Sequence, residues 1–203
     1  MVGIIDYGVG NLFSLRSSFA AIEQEVVVSS DPEVLRKADH ILLPGVGAFE
    51  DAVQKLRSSG LDQMVYECVQ AGKPLMGICL GMQMLFEKSF EYGEHQGLGL
   101  LKGQVIPMAD LIPEELKIPH MGWNALDITQ PEGKLFANTK QGDYVYFVHS
   151  YFADGCTDSL AARTEYGTWL TAAVEKDNVF GCQFHPEKSA DVGLNILRAF
   201  CAV

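Results

Sequence analysis

Short apolar runs alternate with helix-like segments over roughly the first half of the chain. Runs rich in Val, Ile and Leu occur at residues 2–6, 25–29 and 40–43, and a fourth lies at Leu75–Ile78. Such short continuous runs are typical of strands that are buried on both faces, as in a parallel sheet. Because helical segments separate the four runs, the pattern predicts an α/β protein with a mostly parallel, doubly wound sheet and helices on both faces.

The segments between these strands carry helix signals. Asn11 stands at an N-cap position, and Asp31-Pro32 places a capping carboxylate before a first-turn proline. Residues 50–71 predict two helices that are broken near Gly60. A further helix is predicted from Leu80 to Lys88, directly after the fourth strand.

The pattern changes after Phe90, where frequent Gly and Pro predict loop or edge structure that covers one end of the sheet. Residues 143–151 then predict one strand. Three short strands, expected to be antiparallel, and a terminal helix follow at residues 160–166, 170–174, 179–184 and 191–201. Since no repeat, linker or low-complexity segment interrupts the chain, we expect one domain over residues 1–203.

Composition excludes some classes of partner. Hydrophobic residues make up 48% of the chain and charged residues 20%, which is typical of a globular protein. Fifteen Lys and Arg residues face 26 Asp and Glu residues, so the formal net charge is −11. Binding to nucleic acid or to an anionic membrane requires a basic surface, so neither is expected.

Cysteine usage and the N-terminus favour the cytoplasm. No basic segment followed by a long apolar stretch marks a signal peptide, and no apolar run approaches the length of a membrane span. The cysteines are odd in number and scattered, which predicts reduced thiols. They are Cys68, Cys79, Cys156, Cys182 and Cys201.

Cys79 lies between Gly77 and Gly81, where the fourth strand meets the following helix. The Gly-x-nucleophile-x-Gly pattern is typical of a nucleophile elbow, a sharp strand-to-helix turn that lifts one side chain clear of the sheet. The turn strains the backbone of the nucleophile, and we expect the two glycines to relieve crowding around it. Five residues can match by chance, so the interpretation requires a base elsewhere.

His185-Pro186-Glu187 supplies a candidate base at the end of the strand at 179–184. A residue before proline favours an extended conformation, in which residues two apart project to the same side. Glu187 is therefore expected to orient the His185 imidazole, and His185 to activate Cys79. Either residue alone would be interpreted as a structural one.

Other patterns of catalytic or cofactor-binding residues are incomplete. Phe13 stands where a dinucleotide-binding fingerprint would have its third glycine. No Cys-x-x-Cys, His-Glu-x-x-His or phosphate-loop sequence occurs, so no zinc or nucleotide site is expected. Cys68 and Cys201 are expected to be packing residues. His120 and His149 receive no chemical role from the sequence.

The segment from Gly77 to Gln83, together with His185-Pro186-Glu187, resembles the class I, triad-type glutamine amidotransferases, and the resemblance covers nearly the whole chain. It implies a flavodoxin-like sheet with an antiparallel extension. It also implies that Cys79, as a thiolate, attacks the side-chain amide of L-glutamine and forms a thioester, with no metal or organic cofactor.

The same resemblance implies roles for the surrounding backbone. The N–H group of Leu80 and one from Gly45-Val46-Gly47 would bind the oxyanion. Gln83 and Gly45 would hold the amino-acid end of the substrate.

Four further segments resemble one branch of this family, the glutaminase subunits of imidazole glycerol phosphate synthases of histidine biosynthesis. Members of this branch form a heterodimer with a (β/α)₈-barrel cyclase, which uses the ammonia. The resemblance implies that Trp123, Lys188 and Asn11 contact such a partner, although spacing alone favours ordinary surface roles. The four segments are Asp6–Asn11, Pro44–Phe49, Pro119–Asn124 and Tyr146–Tyr151.

The sequence leaves three alternatives open. The chain could serve a different synthase, such as a pyridoxal phosphate synthase, although Pro44–Phe49 argues against it. It could hydrolyse peptides or other amides, although Gln83 and Glu187 favour glutamine. It could also be an inactive interaction subunit, which the complete set of Cys79, His185 and Glu187 disfavours.

Overall fold

A computed structural model describes residues 1–203 of the chain. The helices are α1 Leu12–Ala21, α2 Pro32–Leu35, α3 Phe49–Ser58, α4 Leu61–Gln70, α5 Leu80–Gln83 and α6 Ala190–Cys201, with a 3₁₀ turn at Pro186–Lys188. The first strands are β1 Val2–Ile5, β2 Val26–Ser29, β3 His40–Leu43, β4 Leu75–Ile78, β5 Phe86–Ser89, β6 His95–Gln96 and β7 Leu101–Pro107. The remaining strands are β8 His120–Ala125, β9 Asp127–Ile128, β10 Tyr144–His149, β11 Tyr151–Asp154, β12 Leu160–Glu165, β13 Trp169–Lys176 and β14 Val179–Cys182.

The main sheet has eight strands in the order β2-β1-β3-β4-β14-β13-β12-β9. The first five strands are parallel to one another, and the last three continue the sheet with antiparallel pairing. The parallel part has the flavodoxin-like strand order. The predicted fold, a mostly parallel sheet with an antiparallel extension, is confirmed.

Helices cover both faces of this sheet because successive strand residues point to opposite sides. In β3, Ile41 and Leu43 pack with α3 and α4, whereas Leu42 packs on the opposite face with α1 and α6. The core therefore consists of two apolar layers, one on each side of the sheet. In open α/β sheets of this kind, ligands bind in the loops beyond the carboxyl ends of the parallel strands.

The helix signals of the first half are confirmed by the observed caps. The Asn11 side chain accepts from the Ser14 N–H at 3.4 Å, and Asp31 accepts from the Glu33 N–H at 2.8 Å. Gly60 separates α3 from α4 with φ at +72°.

The predicted helix from Leu80 to Lys88 is wrong. Helix α5 ends at Gln83, and the chain then enters β5. Hydrogen bonds from the distant segment 97–101 to backbone carbonyls of residues 84–87 replace the helical ones. A Cβ at Gly97 would lie 2.2 Å from the Phe86 oxygen, so this glycine permits the close approach. The hydrogen bonds from residues 97–101 therefore stabilise β5 more than the local sequence favours a continued helix.

The region after Phe90 contains more strand than the sequence predicted. Strands β7 and β8 form there, and the segment predicted as one strand at 143–151 divides at Ser150. Its first part, β10, pairs with β8, and its second part, β11, pairs with β7 in a separate four-stranded sheet. The Val148 oxygen near the end of β10 lies 3.9 Å from Cys79 Sγ, so the division occurs close to the carboxyl end of β4.

No helix combines the length and the apolar character that crossing a bilayer would require. All five cysteines are free thiols.

Candidate active site

Cys79 lies at the junction of β4 and α5, in the conformation that a nucleophile elbow requires. Its φ is +55° and its ψ is −114°, and its N–H donates to the Cys182 oxygen at 2.7 Å. A non-glycine residue in such a conformation costs about 1–3 kcal/mol, which the surrounding structure must supply. The sequence therefore predicted the elbow correctly as a local backbone structure.

The glycines around Cys79 allow the elbow to pack against its neighbours. A Cβ at Gly81 would lie 2.0 Å from the Leu43 oxygen in β3, and one at Gly77 would lie 2.5 Å from the Gly81 oxygen. A Cβ at Gly45 would lie 2.5 Å from the Gly81 nitrogen. The crowding that the sequence predicted is therefore between backbone segments. Because glycine has no Cβ, these segments can approach closely without a clash.

His185 and Glu187 lie together, as the sequence predicted. The His185 Nδ1 and Glu187 Oε1 atoms are 2.8 Å apart, and the two side chains are 4% and 2% exposed. His185 is extended, but Glu187 belongs to the 3₁₀ turn, so a turn and not a continuing strand brings them together. Because Nδ1 contacts the carboxylate, Nε2 is the ring nitrogen left for Cys79.

The backbone of His185 is clamped by two residues that the sequence did not identify. The His185 N–H donates to the Tyr146 oxygen at 2.9 Å, and the Ser189 hydroxyl donates to the His185 oxygen at 2.7 Å. The Tyr146 N–H in turn donates to Ser189 Oγ at 2.9 Å. Gly193 lets helix α6 approach this segment, since a Cβ there would lie 1.9 Å from the Pro186 oxygen.

The charges of the site favour a protonated imidazole. Burial alone would lower the pKa of His185, but the neighbouring Cys79 side chain and the Glu187 carboxylate raise it to about 9. His185 is therefore an imidazolium at neutral pH and can pair with a Cys79 thiolate.

A cavity of about 560 Å³ opens in front of Cys79 and His185. Its volume lies within the range of small-molecule sites. No three His, Cys, Asp or Glu side chains of the chain cluster as metal ligands would. The lining residues are Val46, Gly47, Cys79, Leu80, Gln83, Glu91, Tyr92, Ile118, Pro119, Val148, His149, Ser150, Tyr151 and His185.

The 44–48 loop, which connects β3 to α3, is held at both ends and free in the middle. Tyr7 Oη donates to the Pro44 oxygen at 2.7 Å, and the Phe49 N–H donates to Glu91 Oε2 at 2.6 Å. Between them, Val46 is 43% exposed and Gly47 has φ at +92°. The N–H groups of both residues donate to no backbone oxygen.

The three residues predicted from this loop do not share one position. Val46 and Gly47 line the cavity, whereas Gly45 does not and instead packs beneath the elbow. Leu80 lines the cavity at the first position of α5, where an N–H has no acceptor within its own helix.

Gln83 belongs to a buried amide cluster behind the nucleophile. Its Nε2 donates to the Tyr151 oxygen and to Gln183 Oε1, each at 3.0 Å. Gln183 Nε2 lies 3.9 Å from Cys79 Sγ. The cluster fixes Gln83 between the elbow and the opposite wall of the cavity.

Two further groups of the site were missed by the sequence analysis, Gln183 in the buried amide cluster and Glu91 in the cavity wall. Gln183 is a polar residue at the end of an otherwise apolar strand run, and that anomaly could have identified it. Glu91 carries no such signal, because it lies in a Gly-rich segment and reaches the cavity through the tertiary fold.

The three residues predicted to contact a partner differ in their settings. Trp123 is 52% exposed and packs edge-on against the Tyr146 ring, with centroids 6.1 Å apart. Lys188 Nζ lies 5.8 Å from the centroid of the same ring. These two side chains form one exposed cluster, whereas Asn11 caps helix α1 and so has a structural role as well.

Comparisons with known proteins extend over the full chain. The sequence model of the family described as glutamine amidotransferase class-I matches residues 3–202. The chain is 50% identical to the imidazole glycerol phosphate synthase subunit HisH of Bacillus velezensis, with 98% of this chain and 95% of the relative covered. It is also 50% identical to the HisH subunit of Lactococcus lactis, with 97% and 96% covered.

Solved structures agree on the fold. A structure of a glutamine amidotransferase superposes with a TM-score of 0.76 at 21% identity, covering 98% of both chains. The structure of PurLQS from Thermotoga maritima superposes with a TM-score of 0.71 at 20% identity, covering 99% of this chain and 97% of the other.

Proposed function

We propose that this chain, which belongs to the class-I glutamine amidotransferase family, hydrolyses L-glutamine at Cys79 and delivers the ammonia to a partner subunit. The chain is the glutaminase subunit of an imidazole glycerol phosphate synthase, as are its relatives at about 50% identity. The observation that supports the assignment of the site is the strained Cys79 facing the same cavity as the buried His185–Glu187 pair. We also propose that residues 1–203 form a single glutamine amidotransferase domain.

The reaction uses His185 as both acid and base. The Cys79 thiolate attacks the amide carbon of the substrate, and His185 gives its proton to the departing nitrogen, so the C–N bond breaks and ammonia leaves. A γ-glutamyl thioester remains. The neutral His185 then takes a proton from water, which attacks the thioester and releases glutamate. These steps use protein groups and water, so we expect no cofactor.

Two backbone donors stabilise the oxyanion in this proposal. The Leu80 N–H at the start of α5 is one, and the N–H of Val46 or Gly47 is the other, with Gly45 supporting the elbow below them. Losing one such donor typically costs about 100- to 1000-fold in rate.

The amino-acid end of glutamine carries an ammonium and a carboxylate, and the cavity offers a partner for the first. Burial raises the pKa of the Glu91 carboxyl, with the Phe49 N–H acting in the opposite direction. A substrate ammonium would favour its charged form. We propose that Glu91 accepts the ammonium, while Gln83 holds the adjacent wall in place.

The partner is proposed to be a (β/α)₈-barrel cyclase in a heterodimer, which makes imidazole glycerol phosphate and an aminoimidazole carboxamide ribotide. We propose that the exposed Trp123–Lys188 cluster contacts this cyclase and that Asn11 belongs to the same interface. A closed path is useful because ammonia that reaches bulk water at neutral pH is protonated and is then no longer nucleophilic.

The experiment is Cys79→Ala in the complex with the cyclase. We expect glutamate release to fall by at least about 10⁴-fold, because the thioester cannot form, whereas synthesis from added ammonia continues at the parent rate. Glutamate release at the parent rate would refute Cys79 as the nucleophile. Loss of the ammonia-dependent reaction would refute the division of roles between the two subunits.

A further inference from the structure

A chain of hydrogen bonds runs from strand β8, through β10, to the Tyr151 carbonyl in the wall of the cavity. Asn124 Nδ2 lies 3.3 Å from His120 Nε2, and His120 Nδ1 lies 3.0 Å from His149 Nε2. His149 Nδ1 lies 2.9 Å from the Tyr151 oxygen. His120 and His149 are 3% and 6% exposed, and the mechanism above uses neither.

We propose that His120 and His149 are positioning residues, a one-way hydrogen-bond relay that holds the Tyr151 carbonyl, and with it the cavity wall beyond β10, in place relative to strand β8. The proposal rests on the glutaminase function proposed above. It assigns to the two histidines an effect on substrate binding through the wall, and no part in proton transfer.

The direction of the relay follows from its two ends. The Tyr151 carbonyl can only accept, so His149 Nδ1 carries a hydrogen, and in a neutral ring Nε2 must then accept. His120 Nδ1 must therefore donate, which leaves its Nε2 as an acceptor for Asn124. The two ends thus require the same tautomer of each ring.

The Asn124 amide is oriented independently of the histidines. Its Oδ1 accepts from the Ala125 N–H at 2.8 Å, and its Nδ2 donates to the Glu165 oxygen at 2.8 Å. Nδ2 is therefore the atom that faces His120, and it has a second hydrogen to give.

Both rings are neutral, as the relay requires. Burial lowers the pKa of His120 to about 4. Burial also lowers the pKa of His149 to about 3, with the Tyr151 carbonyl opposing the shift. The His120 ring is stacked between Phe147 and Tyr166, with centroids 4.8 Å and 4.1 Å away, so packing holds it in place as well.

The relay ends on a carbonyl that the site already uses. The Tyr151 oxygen also accepts from Gln83, and the Val148 oxygen in the same wall lies 3.9 Å from Cys79 Sγ. At the other end, β8 exposes Met121 and Trp123 on either side of Gly122. A movement of strand β8 would thus reach the Tyr151 carbonyl through His120 and His149.

Two substitutions of His120 separate the relay from the packing. His120→Phe keeps the ring between Phe147 and Tyr166 but cannot donate to His149. His120→Asn loses the stacking but keeps an N–H donor near the position of Nδ1. We expect His120→Phe to raise the KM for glutamine about tenfold in the complete synthase complex, the cost of one buried group without a partner, with kcat nearly unchanged.

The relative KM values of the two variants test the proposal. We expect His120→Asn to have the lower KM of the two, although its denaturation midpoint should be lower than that of His120→Phe. A parent-like KM for His120→Phe, or a higher KM for His120→Asn, would overturn the relay in favour of a packing role. Asn124→Asp places an acceptor where the relay needs a donor and should raise the KM as well; a parent-like KM would refute the direction.

These results are independent of the assignment of Cys79. If Cys79→Ala retained glutamate release, the proposed function would fail whatever the His120 variants did. If Cys79→Ala is inactive and the two His120 variants show the reverse order, only the relay fails.

Discussion

The elbow at Cys79 and the 44–48 loop face the same cavity, but they differ in how closely their backbones are packed. At the elbow, added methyl groups on Gly77 or Gly81 would meet backbone atoms at 2.5 Å or less. At Gly47, an added Cβ would meet nothing within 4 Å. The nucleophile is therefore fixed by its surroundings, whereas one proposed oxyanion donor lies on a segment with room to move.

This difference separates two functions of glycine in one site. The elbow glycines are needed for space, because a strand and a helix turn pass within contact distance there. Gly47 is needed for conformation, because its φ of +92° is one that other residues rarely adopt. A loop that is anchored at Pro44 and Phe49 and free at Val46–Gly47 is suited to a change of state when a partner binds.

The largest expected effect is on folding, from Gly81→Ala. The new methyl group would lie 2.0 Å from the Leu43 oxygen, so the elbow and β3 cannot both keep their positions. We expect a loss of more than about 4 kcal/mol in the free energy of unfolding, measured by urea denaturation. A loss below about 1 kcal/mol would show that the elbow is not held by this contact.

Gly47→Ala tests the other half of the comparison. We expect it to fold with a loss of only about 1–2 kcal/mol, from backbone strain alone, and to reduce glutamine turnover in the complex by about 100-fold through the misplaced oxyanion donor.

The matched control for that variant is Gly142→Ala, because Gly142 also has a positive φ of +83° and free space around it but lies outside the cavity. It should show a similar loss of stability and parent turnover. Equal turnover in the two variants would exclude a special role for Gly47.

The smallest expected effect is on the pH dependence of stability, through Glu187→Gln. The pKa of His185 is raised from 6.5 to about 9 in the folded chain, so the stabilisation from its protonated form is complete below pH 6.5 and is lost as the pH rises through about 9. Removing the Glu187 charge lowers this pKa, so the decline over that range should be shallower.

Urea midpoints measured from about pH 6 to about pH 10 would test this expectation. Glu132→Gln, at an exposed carboxylate outside the cavity, is the control and should retain the parent profile. Identical profiles for Glu187→Gln and the parent would mean that Glu187 does not set the protonation of His185.

The sequence predicted those parts of the fold that depend on neighbouring residues. The apolar runs of β1 to β4, the caps at Asn11 and Asp31 and the break at Gly60 all follow from local chemistry. The predicted helix over residues 80–88 was wrong because the segment 97–101 bonds to its backbone, and no local pattern indicates that.

The residues of the candidate site also fall into those that a local motif indicates and those that only tertiary packing brings to the site. Cys79 and the His185–Glu187 pair were predictable because each lies in a short motif whose residue types indicate a nucleophile or a base. Glu91, Tyr146 and Ser189 were not, because they reach the site only after β5, β10 and α6 have packed. The division of the segment 143–151 at Ser150 likewise depends on two pairing partners far along the chain.

The contact between Gly193 and Pro186 has a consequence for the biosynthesis of the chain itself. The nucleophile emerges from the ribosome more than a hundred residues before the base, and the base is clamped only when Ser189 and helix α6 are in place. A chain that ends before His185 therefore contains Cys79 without its base, and a chain that ends before α6 lacks the packing contact that holds the base in place.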